Sequence, residues 1–410
     1  MPEAAGTSPA PFRPLGAGDR LTHLDVVRGF ALLGVLLMNN QYWFRAPSAR
    51  YQLAAHPWPG AADAVVDVLL QWLWSGKSMS LFALLFGLGL TLQLERARGR
   101  GADFGGFVRR RQCALLLIGL LHIALLWSGD ILHVYALLGL ALVPWMDRPA
   151  RTLVRWAVVL EAVYLAQFIM PRTGPHPAAA AASEAWIALS RAAYLHGSWR
   201  EAAAFRWSEL AHLYTRAGAW FWPGLYGLFL LGSAVWRSGA VQDPEGHLPL
   251  LRRARAWGLG LGLMMEGLDL LLPLIPGLAL PPWSKPLLGM LYRLGEPVLA
   301  LGYGAALILL VRDPRWARAL RGLAAMGKLI LTNYLLQSLV MTWIYNGYGL
   351  GLYDRLGPFH GLLLALALYA AQIAFSLWWV ARFQFGPVEW LWRGISYGSF
   401  PALRRDPATA

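Results

Sequence analysis

Ten apolar stretches, each close to the length of a membrane-spanning helix, constrain this chain more than any other feature. A helix needs roughly 20 mostly apolar residues to cross the hydrocarbon of a bilayer. The stretches are 26–44, 78–94, 111–127, 131–146, 153–170, 219–236, 256–272, 287–311, 324–345 and 361–380. The chain is 57% hydrophobic and only 14% charged, which is too little charge to cover a water-soluble surface. The sequence therefore predicts an all-α, polytopic membrane protein with about ten transmembrane helices.

The distribution of cationic residues predicts the orientation of these helices. If the N-terminus lies in the cytoplasm, the segments on that side hold 24 Lys and Arg, against 10 on the other side. Because cytoplasmic loops of membrane proteins are enriched in positive residues, both termini are predicted to be cytoplasmic. The net charge of +14 is then explained by Arg residues that face anionic lipids of the inner leaflet, and no nucleic-acid partner is expected.

Composition and loop length predict five regions along the chain. The one long loop starts with Pro and Gly and then has the Ala-rich pattern of an amphipathic helix. The predicted regions are a tail 1–19, a five-helix block 20–170, an extracytoplasmic loop 171–218, a second five-helix block 219–400 and a tail 401–410. The apolar segment 61–76 carries Asp63 and Asp67, so it is predicted to lie at the interface or to re-enter the membrane, with an additional span as the alternative.

Ionisable side chains inside the predicted spans are functional candidates, because a charge in hydrocarbon is costly. Asp25 and Arg28 lie one turn apart at the start of the first helix and can pair on one face. His122 lies near the outer end of the third helix, and Asp130 follows in the next turn. A carboxylate within reach fixes the tautomer of a His and raises its basicity. His122 is thus a candidate general base, and the alternative is a hydrogen-bonded contact between helices.

Further polar residues are predicted at the outer side of the membrane. Lys77 is predicted to open the second helix there, Asn39 lies near the outer end of the first, and His56 in the first outer loop is a second candidate base. No metal site is predicted, since no HExxH helix occurs. Four charges in the C-terminal block are predicted to line an outward-opening polar cavity, with structural ion pairs as the alternative: Glu266, Asp269, Arg293 and Glu296.

Five short motifs follow one another along residues 20–400. They are Arg20–Gly34 running to Asn39, Lys77 with Leu85–Gly89, Gly119–His122 with Gly129–Leu132 and Tyr135, Gly327 with Leu331–Leu335 and Gln337, and Gly386–Pro387 with Glu389–Arg393 and Tyr397–Gly398. In this order they resemble the YeiB-type family of bacterial inner-membrane proteins, which carry a C-terminal domain of unknown function. The resemblance implies a location in the bacterial cytoplasmic (inner) membrane.

The first block is also similar to the opening of the wider transmembrane acyltransferase superfamily, which includes the lysosomal heparan-α-glucosaminide N-acetyltransferase. Asp25, Arg28 and Asn39 match the shared opening. This resemblance implies that an acyl group moves from a cytoplasmic acyl-CoA to a sugar or similar acceptor on the far side, with a His as base. His122 or His56 would be that base, and Lys77 or Asn39 would stabilise the tetrahedral oxyanion.

An acyl-CoA would be a co-substrate and not a bound cofactor, and Arg residues suit its phosphates because the guanidinium is always charged and binds phosphate bidentately. The candidate substrate-binding residues are Asp25, Arg28, Arg109, Arg110, Arg111, Tyr135, Asn333, Gln337, Glu389 and Arg393. The expected partners are the lipid bilayer, acyl-CoA and a glycan or lipid acceptor.

Two alternatives to an enzyme stay open from the sequence. One is a transporter or permease for a small polar or amphiphilic solute, in which His122, Glu161, Glu266 and Asp269 form a binding site and proton relay. The other is a structural membrane subunit, which would tolerate loss of these side chains.

Overall fold

In a computed structural model of the protein, the described residues are 21–47, 58–99, 103–168, 177–216 and 221–405. They form α-helices throughout and no β-strand, apart from one isolated bridge between Phe383 and Arg404. The predicted all-α fold is confirmed.

Sixteen α-helices follow one another along the described chain, with four short π- or 3-10 helices among them. Those of the first half are α1 (Thr22–Asn39), α2 (Ala61–Trp74), α3 (Lys77–Gly99), α4 (Phe104–Leu125), α5 (Leu132–Leu142), α6 (Ala150–Ala166), α7 (Pro177–Arg191) and α8 (Trp199–Arg216). Those of the second half are α9 (Trp222–Arg237), α10 (Leu248–Leu271), α11 (Ser284–Val311), α12 (Pro314–Ala319), α13 (Arg321–Lys328), α14 (Ile330–Tyr345), α15 (Pro358–Val380) and α16 (Pro387–Tyr397). The helices α7 and α8 form a hairpin within the predicted extracytoplasmic loop.

Five helical runs among the described residues are long and apolar enough to cross a membrane, and α13 with α14 is a sixth if that bent pair counts as one span. The five are Thr22–Phe44, Ala61–Gly99, Leu248–Leu274, Ser284–Val311 and Pro358–Val380. The chain is therefore a polytopic membrane protein. The count of ten stays a prediction, because the helices in the remaining predicted spans are either short or, like α4 with its three consecutive Arg, more polar.

The predicted apolar segment 61–76 leads directly into the helix that Lys77 begins. Helix α2 runs into α3 across Ser75 and Gly76, and the two together form the 39-residue apolar run Ala61–Gly99. Lys77 is the first residue of α3, as the sequence predicted, but it lies inside an apolar run and is 1% exposed. The reason is that α2 is itself apolar, with its Asp67 accepting hydrogen bonds from the side chains of Gln41 and Gln71.

The predicted span 324–345 is also corrected, because the chain bends by 87° between α13 and α14. The backbone amides that the bend frees at the start of α14 are satisfied by Glu389 of α16, whose Oε1 accepts from Leu331 N at 2.6 Å and from Thr332 N at 3.0 Å. A carboxylate at a helix N-terminus is favoured by both the free amides and the helix dipole. The break is therefore a stabilised feature of the fold.

Helix α13 packs against α1 at backbone distance. A Cβ atom on Gly327 would lie 1.9 Å from the carbonyl oxygen of Asp25, so a larger residue there separates the two helices. Gly260 is a matched position on α10, where a Cβ atom meets nothing within 4 Å. The α1–α13 contact places Asp25 next to the bend, and this contact forms one end of the cavity described below.

We expect Gly327→Ala to lower the stability of the folded protein by about 1–3 kcal/mol or more, as overpacking against backbone does. The measurement is thermal unfolding and the yield of monodisperse protein in detergent. Gly260→Ala is the control and is expected to leave the yield unchanged and the stability equal or slightly higher, since Ala favours a helix over Gly. Equal behaviour of the two variants would contradict the close packing of α1 on α13.

Candidate functional site

A cavity of about 540 Å³ lies between helices α1, α3, α4, α5, α8, α13, α14 and α16. Its two ends are polar, and the walls between them are apolar, formed by Leu32, Phe82, Leu85, Phe86, Leu115 and Leu132. The volume is within the range of about 300–1,000 Å³ that is typical of small-molecule sites. One elongated amphiphile with a charged head and an apolar tail matches this distribution of polarity.

The end of the cavity near the start of α1 is rich in cations. We call this group the cationic mouth: Arg28, Arg96, Arg111, Lys328 and Arg393. The carboxylates that line the same end are Asp25 and Glu389. Because Glu389 is already used at the N-terminus of α14, this end carries an excess of positive charge that suits an anion such as phosphate.

Packing holds several side chains of the cationic mouth in place. Arg28 Nη1 donates to Asp25 Oδ1 at 2.9 Å. The Arg111 guanidinium stacks on the indole of Trp392, 3.5 Å from the ring centroid, while Trp392 Nε1 donates to the Arg111 carbonyl. Arg393 lies over the ring of Phe385 at 4.9 Å. Side chains that are fixed before binding lose less entropy when an anion arrives.

The opposite end of the cavity centres on Asp130, in the turn between α4 and α5. His122 Nδ1 lies 2.8 Å from Asp130 Oδ2, and His133 Nδ1 lies 2.9 Å from Asp130 Oδ1. The backbone amide of His133 donates to Oδ1 as well, at 3.0 Å. His133 Nε2 in turn contacts the hydroxyl of Tyr214 on α8. We call these four residues, His122, Asp130, His133 and Tyr214, the Asp130 cluster.

The carboxylate determines the tautomer of both imidazoles. An ionised carboxylate only accepts hydrogen bonds, so each Nδ1 that contacts Asp130 carries the proton. Each neutral ring then has an unprotonated Nε2. For His133, Nε2 accepts from the Tyr214 hydroxyl, whereas His122 Nε2 is buried and has no hydrogen-bond partner among the described residues. Two imidazoles on one carboxylate are an arrangement that can accept a proton.

A glycine on α4 permits this arrangement. A Cβ atom on Gly119 would lie 2.7 Å from His133 N and 2.8 Å from Asp130 Oδ1. The turn therefore approaches α4 closely only because position 119 has no side chain. The short spacing from Gly119 to His122 puts the imidazole one turn further along the same helix and level with the Asp130 carboxylate.

Lys77 belongs to a different group. Its Nζ forms an ion pair with Glu266 of α10, and both side chains are at most 1% exposed. Arg293 Nη1 donates to Glu296 Oε1 at 2.7 Å on α11. We call these four residues, Lys77, Glu266, Arg293 and Glu296, the charge cluster. None of them lines the cavity, so the predicted meeting of Lys77 with His122 and Asp130 is corrected.

The four charged residues of the C-terminal block were predicted to line a polar cavity, with structural ion pairs as the alternative. In the structure they interact with each other and with Lys77. Glu266 forms an ion pair with Lys77, and Arg293 forms an ion pair with Glu296. Asp269 is attracted electrostatically by Arg293, whereas Glu161 and Glu296 are two carboxyl groups that repel each other. The ion pairs follow from the low dielectric around them, in which an ion without a counterion is costly.

The other predicted site residues divide between the cavity and helix contacts. Asn39 and Tyr135 line the cavity, and the Tyr135 hydroxyl donates to the Met79 carbonyl at 3.1 Å. Asn333 and Gln337 do not line it: Asn333 Nδ2 donates to Ser376 and Gln337 Nε2 to Gln372, both on α15. These two amides, predicted to bind substrate, connect α14 to α15 instead.

The three consecutive arginines of α4 also have different surroundings. Only Arg111 lines the cavity. Arg109 is exposed, and Arg110 Nε donates to the Ser396 carbonyl of α16 at 3.2 Å. Successive helix positions differ by about 100°, so one side chain of three faces the cavity. His56 lies outside the described residues.

Several residues of the site were not predicted from the sequence. Tyr214 lies 81 positions after His133, in a loop helix without a motif, and no signal marks it. The sequence showed Arg96 and Lys328 only as cations near the ends of predicted helices, with no sign that they line a cavity. His133 lies next to motif residues, and its spacing of three from Asp130 was the available signal.

The chain is similar to several curated proteins over nearly its whole length. A family described as "Protein of unknown function (DUF418)" matches residues 235–399. "Uncharacterized protein YxaH" of Bacillus subtilis is 31% identical, over 96% of this chain and 98% of that protein. "Uncharacterized protein YeiB" of Escherichia coli is 32% identical, over 92% and 96%. A Bacillus acidopullulyticus protein, "Uncharacterized 39.9 kDa protein in amylase 3'region", is 27% identical, over 96% and 99%.

We expect Lys77→Met to destabilise the protein by about 3–5 kcal/mol, because it leaves Glu266 buried without its counterion. The double variant Lys77→Met/Glu266→Gln is expected to recover most of that loss. The measurement is denaturant unfolding in mixed micelles.

The control is Arg98→Met, which removes an ion pair with Asp147 whose side chains are 56% and 71% exposed, and a change of at most about 1 kcal/mol is expected. A double variant that is as unstable as Lys77→Met would contradict the pairing.

Proposed function

The chain belongs to the YeiB-type family of bacterial membrane proteins, and we propose that it is a membrane-bound acyltransferase of the cytoplasmic (inner) membrane. It would move an acyl group from a cytoplasmic acyl-CoA to a sugar, lipid or other acceptor of the envelope. The observation that supports this proposal is that one cavity is lined at one end by the cationic mouth and at the other end by Asp130 and Tyr214.

Each part of the cavity suits one part of an acyl-CoA. The phosphates of the nucleotide need fixed cations, which the cationic mouth supplies. The pantetheine arm and the acyl chain need a passage with apolar walls, which Leu85, Phe86 and Leu115 provide. The thioester carbonyl would then lie near the Asp130 cluster, where a general base is needed to activate the acceptor.

The lining also favours direct transfer over an acyl-enzyme intermediate. Among its described residues there is no Ser, Thr or Cys. Cys113 is exposed, and Ser128 donates its hydroxyl to Glu209 at 2.6 Å. The acceptor hydroxyl or amine would therefore attack the thioester itself, with the Asp130 cluster as base. Of the two predicted oxyanion donors, Asn39 lines the cavity, whereas Lys77 is paired with Glu266.

The transport hypothesis receives less support from the arrangement of its residues. Its site required His122, Glu161, Glu266 and Asp269 to act together. His122 contacts Asp130, while Glu266, Asp269 and Glu161 interact with members of the charge cluster. Uptake of a solute into proteoliposomes without any acyl donor is the measurement that would favour a transporter over the enzyme.

We expect a deletion strain to lack an acylated glycan or lipid that mass spectrometry detects in the envelope of the wild type. The wild-type gene is expected to restore this species, and Asp130→Asn is expected not to, because loss of general base catalysis slows a reaction by about 10²–10⁴-fold. Arg111→Gln is also expected not to restore it, since Arg111 lies in the cationic mouth.

Arg109→Gln is the matched control, since Arg109 is on the same helix but exposed. It is expected to restore the acylated species fully, at an expression level equal to that of the other variants. If no acylated species disappears on deletion, or if Asp130→Asn restores it as well as the wild type does, the proposed function is wrong.

A further inference from the structure

We propose that Tyr214 takes the proton of the acceptor and passes its own proton to His133, so that His133 is the base that the cavity reaches. In this account His122 does not act on substrate but positions Asp130. The inference rests on the proposed acyltransferase function and names the residues that carry its proton transfer.

Tyr214 lines the cavity, as Asp130 does, and it is the member of the Asp130 cluster whose hydroxyl contacts the Nε2 of an imidazole. Its side chain lines the cavity together with that of the preceding Leu213. Its hydroxyl contacts His133 Nε2, and the two rings meet edge to face at 6.0 Å. Because His133 Nδ1 donates to Asp130, its Nε2 accepts, and the Tyr214 hydroxyl is the donor. The lone pairs of that hydroxyl oxygen remain available to an acceptor in the cavity.

His122 is separated from the same space. It does not line the cavity and is 3% exposed. The rings of Trp127 and Tyr334, which do line the cavity, lie 6.1 and 5.2 Å from its ring. Its Nδ1 fixes Asp130 Oδ2 at 2.8 Å. His122 therefore orients the carboxylate that orients His133, which is the role of a third member in a catalytic relay.

Helix α8 is attached at two points that hold Tyr214 in place. Arg206 is 1% exposed and its Nη1 donates to the Ala124 carbonyl at the end of α4, at 3.2 Å. Glu209 accepts from the hydroxyls of Ser128 and Tyr194. Since Ser128 lies in the same turn as Asp130, the hairpin and the Asp130 cluster form one unit. Tyr214 extends from this unit toward the cavity, at the end opposite the cationic mouth.

The ionisation state of Tyr214 fits a relay rather than a permanent tyrosinate. Burial, together with the charge of Asp130, raises the pKa of Tyr214 to about 12. The phenol therefore keeps its proton at neutral pH and gives it up only while it receives another. A tyrosine that both donates and accepts needs no net change of charge during the transfer.

The reaction balances with the groups named. The acceptor O–H (or N–H) bond breaks and its proton goes to the Tyr214 oxygen, while the Tyr214 proton goes to His133 Nε2. The acceptor oxygen or nitrogen forms a bond to the thioester carbon, and the C–S bond breaks. The imidazolium, stabilised by Asp130, returns the proton through Tyr214 to the leaving thiolate, which departs as free CoA thiol. No oxidant or further reactant is required.

The test is the release of CoA thiol from octanoyl-CoA by the purified full-length protein in lipid nanodiscs, with water or added polyols as acceptor. Tyr214→Phe and His133→Asn are each expected to lower kcat by about 100-fold or more, within the usual range for acid–base catalysis, with KM for octanoyl-CoA changed less than about twofold. The double variant is expected to be no slower than either single one, because residues that act as one relay are not additive. His122→Asn, which keeps an N–H donor toward Asp130, is expected to lower kcat by less than about tenfold.

Tyr226→Phe is the matched control, since the Tyr226 hydroxyl donates to the Ala141 carbonyl away from the cavity, and it is expected to leave kcat unchanged. All variants should unfold at the temperature of the wild type within about 2 °C. If Tyr214→Phe retains wild-type kcat while His122→Asn loses activity, the relay is wrong and the acyltransferase proposal stands. If the wild type neither binds octanoyl-CoA nor releases thiol, both proposals fail.

Discussion

The low dielectric of the membrane interior is the constraint on which the rest of this structure depends. Burying an ion without a partner costs several kcal/mol, and the chain meets this constraint in different ways at different places. Lys77 is paired with Glu266. Asp67 accepts from two glutamine amides. Glu389 accepts from the amides at the start of α14. In each case at least one partner lies in another helix, so the charges also fix how the helices pack.

The cavity is where cationic side chains outnumber carboxylates. Asp25 and Glu389 are the carboxylates that line the cationic mouth, and Glu389 already accepts from an amide of α14. At the other end, Asp130 and Tyr214 line the cavity, and the Tyr214 hydroxyl contacts His133 Nε2. A few polar groups that converge on a largely apolar cavity are typical of a site that a small molecule occupies. The two ends share one cavity, which connects binding of an anion to proton transfer at the Asp130 cluster.

Contacts between residues that are close together in the sequence could be predicted, whereas contacts between distant residues could not. The contact of His122 with Asp130 and that of Asp25 with Arg28 follow from local spacing, and the structure has both. The ion pair of Lys77 with Glu266 joins residues 189 positions apart, and no helical period reveals such a partner. The contact of Tyr214 with His133 also joins residues that are far apart in the sequence, so no helical period reveals it. The bend between α13 and α14 depends on Glu389, so the apolar pattern of 324–345 alone could only predict a straight span.

The most direct test of the shared cavity is a cryo-electron microscopy structure of the full-length protein in lipid nanodiscs with a non-hydrolysable thioether analogue of octanoyl-CoA. We expect phosphate density among Arg28, Arg111 and Arg393, and a pantetheine arm that passes Phe86 and places the carbon next to the thioether sulfur, which replaces the thioester carbon, within about 3–4 Å of the Tyr214 hydroxyl, leaving room for the reacting acceptor. Density for the nucleotide at the charge cluster, or a thioether that lies away from Tyr214 and the Asp130 cluster, would contradict the account.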